Sequence, residues 1–295
     1  MRIGYLVVSH RDPGQVRRLV RVLNETPGAE VLVRHDQRRS PLPRDEVEDA
    51  GGRLLDDGLE LEWGGWGQAE VLLNGIRRLD TDWVVVLSGQ DYPLRPLAEI
   101  QAFFGGTEHE ALLGDAWELD LARDPGPPRD EFFTRYAYRH YRRPPGLGEL
   151  PRRLRPVLYT REMPPRLGVR RLRRPSSVFV SADWLTVSRR AVASIERYVR
   201  EQSAAMRYFR RVAVPSEALF ATALMRDEAL SIGLDHRRFI RFPHEGAPHP
   251  DTLTSADLPE LQRSSALFAR KFDVRVDAEV LDALDERRKK AASAR

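Results

Sequence analysis

The sequence predicts an α/β fold, with a central, mostly parallel sheet flanked by helices. Two observations predict it. Residues 83–87, Trp83-Val84-Val85-Val86-Leu87, form an unbroken apolar, β-branched run with no polar alternation, as expected of a strand buried on both faces. Strand-like and helix-like periods also alternate through roughly the first hundred residues, the pattern of βαβ units. The chain has 295 residues, 41% hydrophobic and 31% charged, enough for one large domain. No internal repeat or domain linker divides it.

Taken in order, residues 2–9 read as a first strand, followed by a helix over 15–23 with Val16, Leu19, Val20 and Leu23 on one face. Asp12 as N-cap and Pro13 at the first helical position make a good start for that helix. Pro27-Gly28 breaks the chain before a second strand at 30–34. Residues 37–53 are polar, contain two prolines and read mostly as loop. A third strand is expected at 59–62, and a helix at 68–79 carries Val71, Leu72, Ile76 and Leu79. After the central strand, 96–104 reads as a short helix. Residues 124–174 are rich in Pro and Arg, with interspersed Phe and Tyr. This composition fits either a loop packed over a site or a surface that binds single-stranded nucleic acid or another polyanion, and the loop reading is preferred. Strands follow at 177–180 and 184–187, a helix at 190–199, a short apolar stretch at 211–214, a helix at 215–225 and a final strand at 239–242. Helices at 257–267 and 280–290 complete the chain.

Composition bounds the function. There is no cysteine, hence no disulfide, thiolate nucleophile or thiolate metal site; the absence suits a bacterial cytoplasm. No apolar run approaches the roughly 20 residues of a membrane span, and the N-terminus reads as a strand rather than a signal peptide. Net charge is +4, and nearly all basic residues are Arg, a bias that resembles GC-rich coding more than selection for nucleic acid. No Gly-rich phosphate loop of either familiar spacing is present.

The central strand ends in Ser88-Gly89-Gln90-Asp91. Open α/β sheets bind ligands just beyond the carboxyl ends of their strands, so Asp91 is either a site residue or the cap of the next turn. Glu217 opens the helix that begins at Pro215; it is a candidate general base or an ordinary partner of the helix dipole. Arg270-Lys271, anchored by Phe268 and Phe272, can hold a diphosphate or can be a solvated dipeptide. Asp80-Thr81-Asp82 precedes the buried strand, at the wrong end for a metal site, and reads as a surface turn. His10 and His35 lie near strand ends, and neither is expected to ligate a metal. One strand-end carboxylate is thin for Mg²⁺ or Mn²⁺.

Several segments together resemble one family. They are Tyr5-Leu6-Val7-Val8-Ser9-His10, Val33-Arg34-His35-Asp36, Trp63-Gly64-Gly65-Trp66, Leu87-Ser88-Gly89-Gln90-Asp91-Tyr92-Pro93-Leu94, Asp183-Trp184-Leu185, Pro215-Ser216-Glu217 and Phe268-Ala269-Arg270-Lys271-Phe272-Asp273. Similar words in the same order occur in the branching β-1,6-N-acetylglucosaminyltransferases and peptide O-xylosyltransferases. The resemblance implies a GT-A-type glycosyltransferase fold over residues 1–295, with a nucleotide-binding half at 1–105 and an acceptor and catalytic half at 106–295. It implies a metal-independent, inverting transfer of N-acetylglucosamine or xylose from a UDP-sugar to a hydroxyl on a glycan, peptide or small molecule. It also implies roles: Glu217 as catalytic base, Arg270 and Lys271 as the phosphate clamp, and Asp36 as the uracil contact. Val8, His10, Gly65, Trp66 and Asp91 would join the donor site, and Asp183 and Trp184 the sugar pocket. No metal or other cofactor is expected.

Overall fold

The protein is described by a computed structural model covering residues 1–59, 64–126, 130–140, 174–244, 247 and 249–293. The chain opens with β1 (Ile3–Ser9), α1 (Pro13–Leu23), β2 (Glu30–His35), α2 (Arg44–Asp49), β3 (Arg53–Leu54), α3 (Trp66–Arg77) and β4 (Trp83–Ser88). Next come β5 (Tyr92–Pro93), α4 (Leu97–Gly106), β6 (Ala111–Leu112), β7 (Trp117–Asp120) and α5 (Glu131–Ala137). The remainder holds β8 (Ser177–Val180), β9 (Thr186–Ser188), α6 (Arg189–Glu201), α7 (Ser203–Phe209), α8 (Pro215–Met225), β10 (Ile232–Gly233), β11 (Arg238–Ile240), α9 (Leu258–Arg263), β12 (Phe268–Arg270) and α10 (Glu279–Ser293).

The main sheet runs β10-β6-β9-β4-β1-β2-β3. β1 pairs in parallel with both β2 and β4, while β9 runs antiparallel between β4 and β6. The lack of alternation in β4 now has its cause. Trp83, Val85 and Leu87 enter one core with Tyr5, Val7 and the apolar face of α1. Val84 and Val86 enter the opposite core with Leu6, the face of α3 and most of α8. Both faces of the strand are covered, so both must be apolar.

The register aligns the ends of the central strands. Val8 lies opposite Arg34 on one side and Ser88 on the other, so the carboxyl ends of β1, β2 and β4 form one edge. A second, small sheet, β11-β12-β5, returns the C-terminal region to that edge. Ala269 pairs with Tyr92, Phe268 with Pro93, and the Phe272 amide donates to the Gln90 carbonyl at 2.9 Å.

Several expectations are corrected. Asp12 does not cap α1: it sits at φ 52° without a side-chain cap bond, and its carboxylate pairs with Arg11 and Arg275 instead. Residues 37–53 contain α2 and the start of β3, because Val47 supplies a buried anchor that the polar composition obscures. Of the strand expected at 59–62, only residue 59 is described, and it is not in a strand; β3 occupies the sheet position beside β2. Residues 131–137, within the stretch read as loop, form α5, capped by Asp130. Trp184 and Leu185 precede β9. The strand at Arg238–Ile240 is not the last, since β12 follows it, and the helix expected at 257–267 is α9 alone, which ends at Arg263 where Ser264 turns to extended backbone. The helix at Pro215–Met225 has the expected bounds.

α3 crosses β1 closely. A Cβ on Gly75 would stand 2.4 Å from Leu6 Cδ2. Leu6→Ala should therefore cost about 2–5 kcal/mol. Gly75→Ala should destabilise the wild type by overpacking but stabilise the Leu6→Ala protein by refilling its cavity. Urea unfolding of the four proteins measures the cycle; additive effects would disprove the contact.

Candidate active site

Three groups of side chains gather near the sheet edge and the start of α8. The first surrounds Glu217. Pro215 occupies the first helical position after Val214, whose φ of 45° is unfavourable for a β-branched residue. Val214 is held there from both sides: its amide donates to the Gly64 carbonyl at 2.8 Å, and its carbonyl accepts from Tyr136 Oη at 3.1 Å. Glu217 Oε2 accepts from Arg135 Nη1 at 2.8 Å, and the other arm of Arg135 binds Glu131. Burial raises the Glu217 carboxyl to about 7, the charge of Asp183 adds to the rise, and Arg135 opposes it.

The second group is built on the Asp183-Trp184 turn. Asp183 Oδ2 accepts from Gln68 Nε2 at 2.8 Å. Burial raises its pKa, opposed by Ser216, Gln68 and the cations Arg270 and Arg135. The Arg270 guanidinium stacks on Trp184, 3.8 Å from the ring centroid, and its Nη1 lies 3.6 Å from Asp91 Oδ1. Asp91 is wholly enclosed, and its oxygens accept from the Ser88 amide at 3.1 Å and the Ser88 hydroxyl at 2.7 Å. Asp91 locks the turn after β4, as the cap reading expects, and it stands behind Arg270 rather than facing open space. Several buried polar atoms here lack hydrogen-bond partners among the described residues: Trp66 Nε1, Asp183 Oδ1, and Arg270 Nε and Nη1. Buried polar atoms are usually satisfied, so such a cluster of orphans is what a ligand site would leave.

The third group lies at the end of β2. A cavity of about 290 Å³ is lined by Arg34, His35, Asp36, Gln37 and Arg38 on one side and residues 54–59 on the other. Asp36 pairs with Arg38, which holds its carboxyl below the ordinary range. Its amide donates to the Ser9 carbonyl at 2.9 Å. His35 is structural, with Nδ1 2.8 Å from Ser9 Oγ and Nε2 2.5 Å from the Ser40 carbonyl oxygen. His10 is exposed, and partial desolvation of its ring, with the charges of Arg39 and Arg11, lowers its pKa. Val8 is half-buried at the end of β1, and Gly65 precedes α3. Lys271 is half-buried and forms no ion pair among the described residues, while its backbone is held by Leu253 and Asp251.

Asp80 and Asp82 form the expected surface turn, paired with Arg189 and with the Arg2 backbone. Trp63, Tyr141 and Tyr159, and most of the Arg- and Tyr-rich middle, lie outside the described residues. Three site residues escaped the sequence. Arg135 sat among many arginines in a stretch read as loop. Gln68 is a polar residue in a first helical turn. Arg238 opens an apolar strand, a placement that could have flagged it. Among the described residues, no three His, Asp or Glu side chains are grouped so as to hold a metal ion, and no helix is long and apolar enough to cross a membrane.

No protein-family model matches the chain, and no curated protein sequence matches it. Solved structures do match in part. A nucleotidyl transferase from Methanothermobacter thermautotroptrophicus is 17% identical over 41% of this chain and 67% of its own, with a TM-score of 0.27. A CMP:2-keto-3-deoxy-manno-octonic acid synthetase complexed with CTP is 13% identical over 70% of this chain and 85% of its own, TM-score 0.31. A putative glucose-1-phosphate thymidylyltransferase from Bacillus anthracis is 10% identical over 70% and 78%, TM-score 0.32. Likeness this distant bears on neither activity nor substrate.

The raised Glu217 carboxyl makes a stability prediction. Its folded value, about 7, exceeds its ordinary 4.5, so the folded state binds the proton more tightly and loses stability as pH rises between those values. Glu217→Gln removes that loss. The variant should match the wild type below pH 4.5 and exceed it above pH 7 by up to about 3 kcal/mol in denaturant unfolding. A difference independent of pH would contradict the assignment.

Proposed function

We propose that the chain is a UDP-sugar-dependent, inverting glycosyltransferase of GT-A type that needs no divalent metal. The observation that carries this reading is the Glu217 carboxyl, raised to about 7 and joined through Asp183 to the stacked Arg270–Trp184 pair. A general base works best with a pKa near the operating pH, and Glu217 meets that condition while an ordinary glutamate would be too weak a base.

The chemistry balances as follows. Glu217 takes the proton of the acceptor hydroxyl, the hydroxyl oxygen bonds to the anomeric carbon from the face opposite the diphosphate, and the bond from that carbon to the UDP oxygen breaks. Its electron pair leaves with UDP. Arg270 and Lys271 neutralise the charge gained by the diphosphate, the task a metal ion performs in many transferases. The unpartnered N–H groups of Arg270 support that role. The cavity beside Asp36 would take the uracil, with Val8, His10, Gly65 and Trp66 along the donor, and Asp183 and Trp184 around the sugar. Asp91 acts through Arg270. The sheet, mostly parallel with its strand ends at one edge, suits a nucleotide-sugar donor. N-acetylglucosamine and xylose are the sugars that the family resemblance favours, and a cytoplasmic site of action is part of the same proposal.

UDP should raise the midpoint of thermal unfolding equally with and without EDTA; a strict requirement for manganese would reject metal independence. Glu217→Gln should abolish transfer while leaving UDP affinity within about twofold. The wild-type rate should climb with pH to a plateau above an apparent pKa near 7, since the base acts deprotonated. Arg270→Ala with Lys271→Ala should weaken UDP binding by about 2–5 kcal/mol; unchanged affinity would remove the clamp.

A further inference from the structure

Behind Arg270 lies a second buried guanidinium that the proposed transfer does not yet use. Arg238 is 6% exposed and forms no ion pair among the described residues. Its Nη2 donates to the Val86 carbonyl at 2.7 Å, inside the central strand, and its Nη1 to the His236 carbonyl at 2.9 Å. Like Arg270 it packs on Trp184, with its guanidinium carbon 5.7 Å from the ring centroid, so the indole contacts both cations. Phe268 packs against it too, at 5.8 Å. Burial pulls its pKa down to about 10, helped by Arg270 and opposed by Asp91, so it remains charged at neutral pH.

Two guanidinium groups and two carboxylates meet here. Arg238 and Arg270 both feel Asp91, Arg270 also feels Asp183, and burial disfavours the charged form of Asp183. Asp91 accepts from the Ser88 amide and hydroxyl, and it forms an ion pair with Arg270 at 3.6 Å, beyond hydrogen-bond distance. Among the described residues, Arg270 Nε and Nη1 and Arg238 Nε have no hydrogen-bond partner. Isolated buried charge is costly unless something compensates it.

Resting on the donor reading above, we infer that Arg238 is a positioning residue. By sharing Asp91 with Arg270, it leaves Arg270 only partly neutralised and so keeps the site attractive to a diphosphate. Arg238 touches no ligand. Its effect reaches the diphosphate through the field at Asp91 and through the orientation of Trp184 beneath Arg270.

The test is a charge-removal double-mutant cycle read by calorimetric titration with UDP, with uridine as the probe that lacks phosphates. Arg238→Met should weaken UDP binding roughly tenfold, because Asp91 then neutralises Arg270 alone. Asp91→Asn should tighten UDP binding by several-fold, up to roughly tenfold. The double variant restores the charge balance and should return close to the wild type, whereas structural damage would accumulate. Uridine affinity should hold steady throughout. Circular dichroism establishes that each variant is folded; if Arg238→Met is not, the direction of the Asp91→Asn change decides alone. Weaker UDP binding in Asp91→Asn, additive losses in the double variant, or parallel changes in uridine binding would overturn the inference, as would UDP affinity unmoved in every variant. A wild type that binds no UDP at all would instead reject the donor reading, and this inference with it.

Discussion

The double burial of β4 and β1 is the constraint from which the site follows. Their odd-numbered side chains fill one core and their even-numbered ones the other. A strand covered on both faces cannot slip by one residue without mismatching two packed layers at once. The register is therefore fixed, and with it the places where Ser9, His35 and Ser88 end their strands. Everything proposed for the donor is mounted on that edge. Asp36 follows from β2, Asp91 from the turn after β4, and Arg270 from a small sheet whose pairing with β5 depends on where that turn ends.

The two halves of the site are joined at the Asp183-Trp184 turn. Asp183 feels both Arg135, on the side of Glu217, and Arg270, on the side of Asp91. Trp184 is the platform for the paired cations. A change at this turn reaches Glu217 and Arg270 together, and charges enclosed between two cores are weakly screened.

What could be read in the sequence divides along physical lines. The α/β class, β4, α1 and the bounds of α8 are carried by local signals: periodicity, β-branching and Pro at a first helical position. Glu217 and Arg270 stood out for the same reason, since each sits beside a punctuating proline or apolar anchors. Partners could not be read that way. Arg135 meets Glu217 across 82 residues, and Arg238 meets Val86 across 152. Nothing local distinguishes Arg135 from the many other arginines in the chain, and the apolar strand that Arg238 opens marks that residue without revealing its partner. Asp12 failed as a cap because Arg11 and Arg275, the second far off in sequence, offer its carboxylate better partners than the helix amides.

Glu217 also shows which of two opposed effects governs a carboxylate at the start of a helix. The positive end of the helix dipole should hold it ionised, a contribution of about 0.3–1 kcal/mol at such a position. The facing guanidinium of Arg135 pushes the same way. Yet the rise from 4.5 to about 7 is worth roughly 3 kcal/mol in the other direction. Burial wins because the carboxylate loses water on several sides at once and gains a second negative charge, Asp183, in return. Arg135 limits the rise rather than reversing it, since it divides its fork between Glu217 and Glu131. Burial first, and the charge of Asp183 second, keep this glutamate near neutrality against the pull of Arg135, and both are features of the fold that no local sequence pattern reveals.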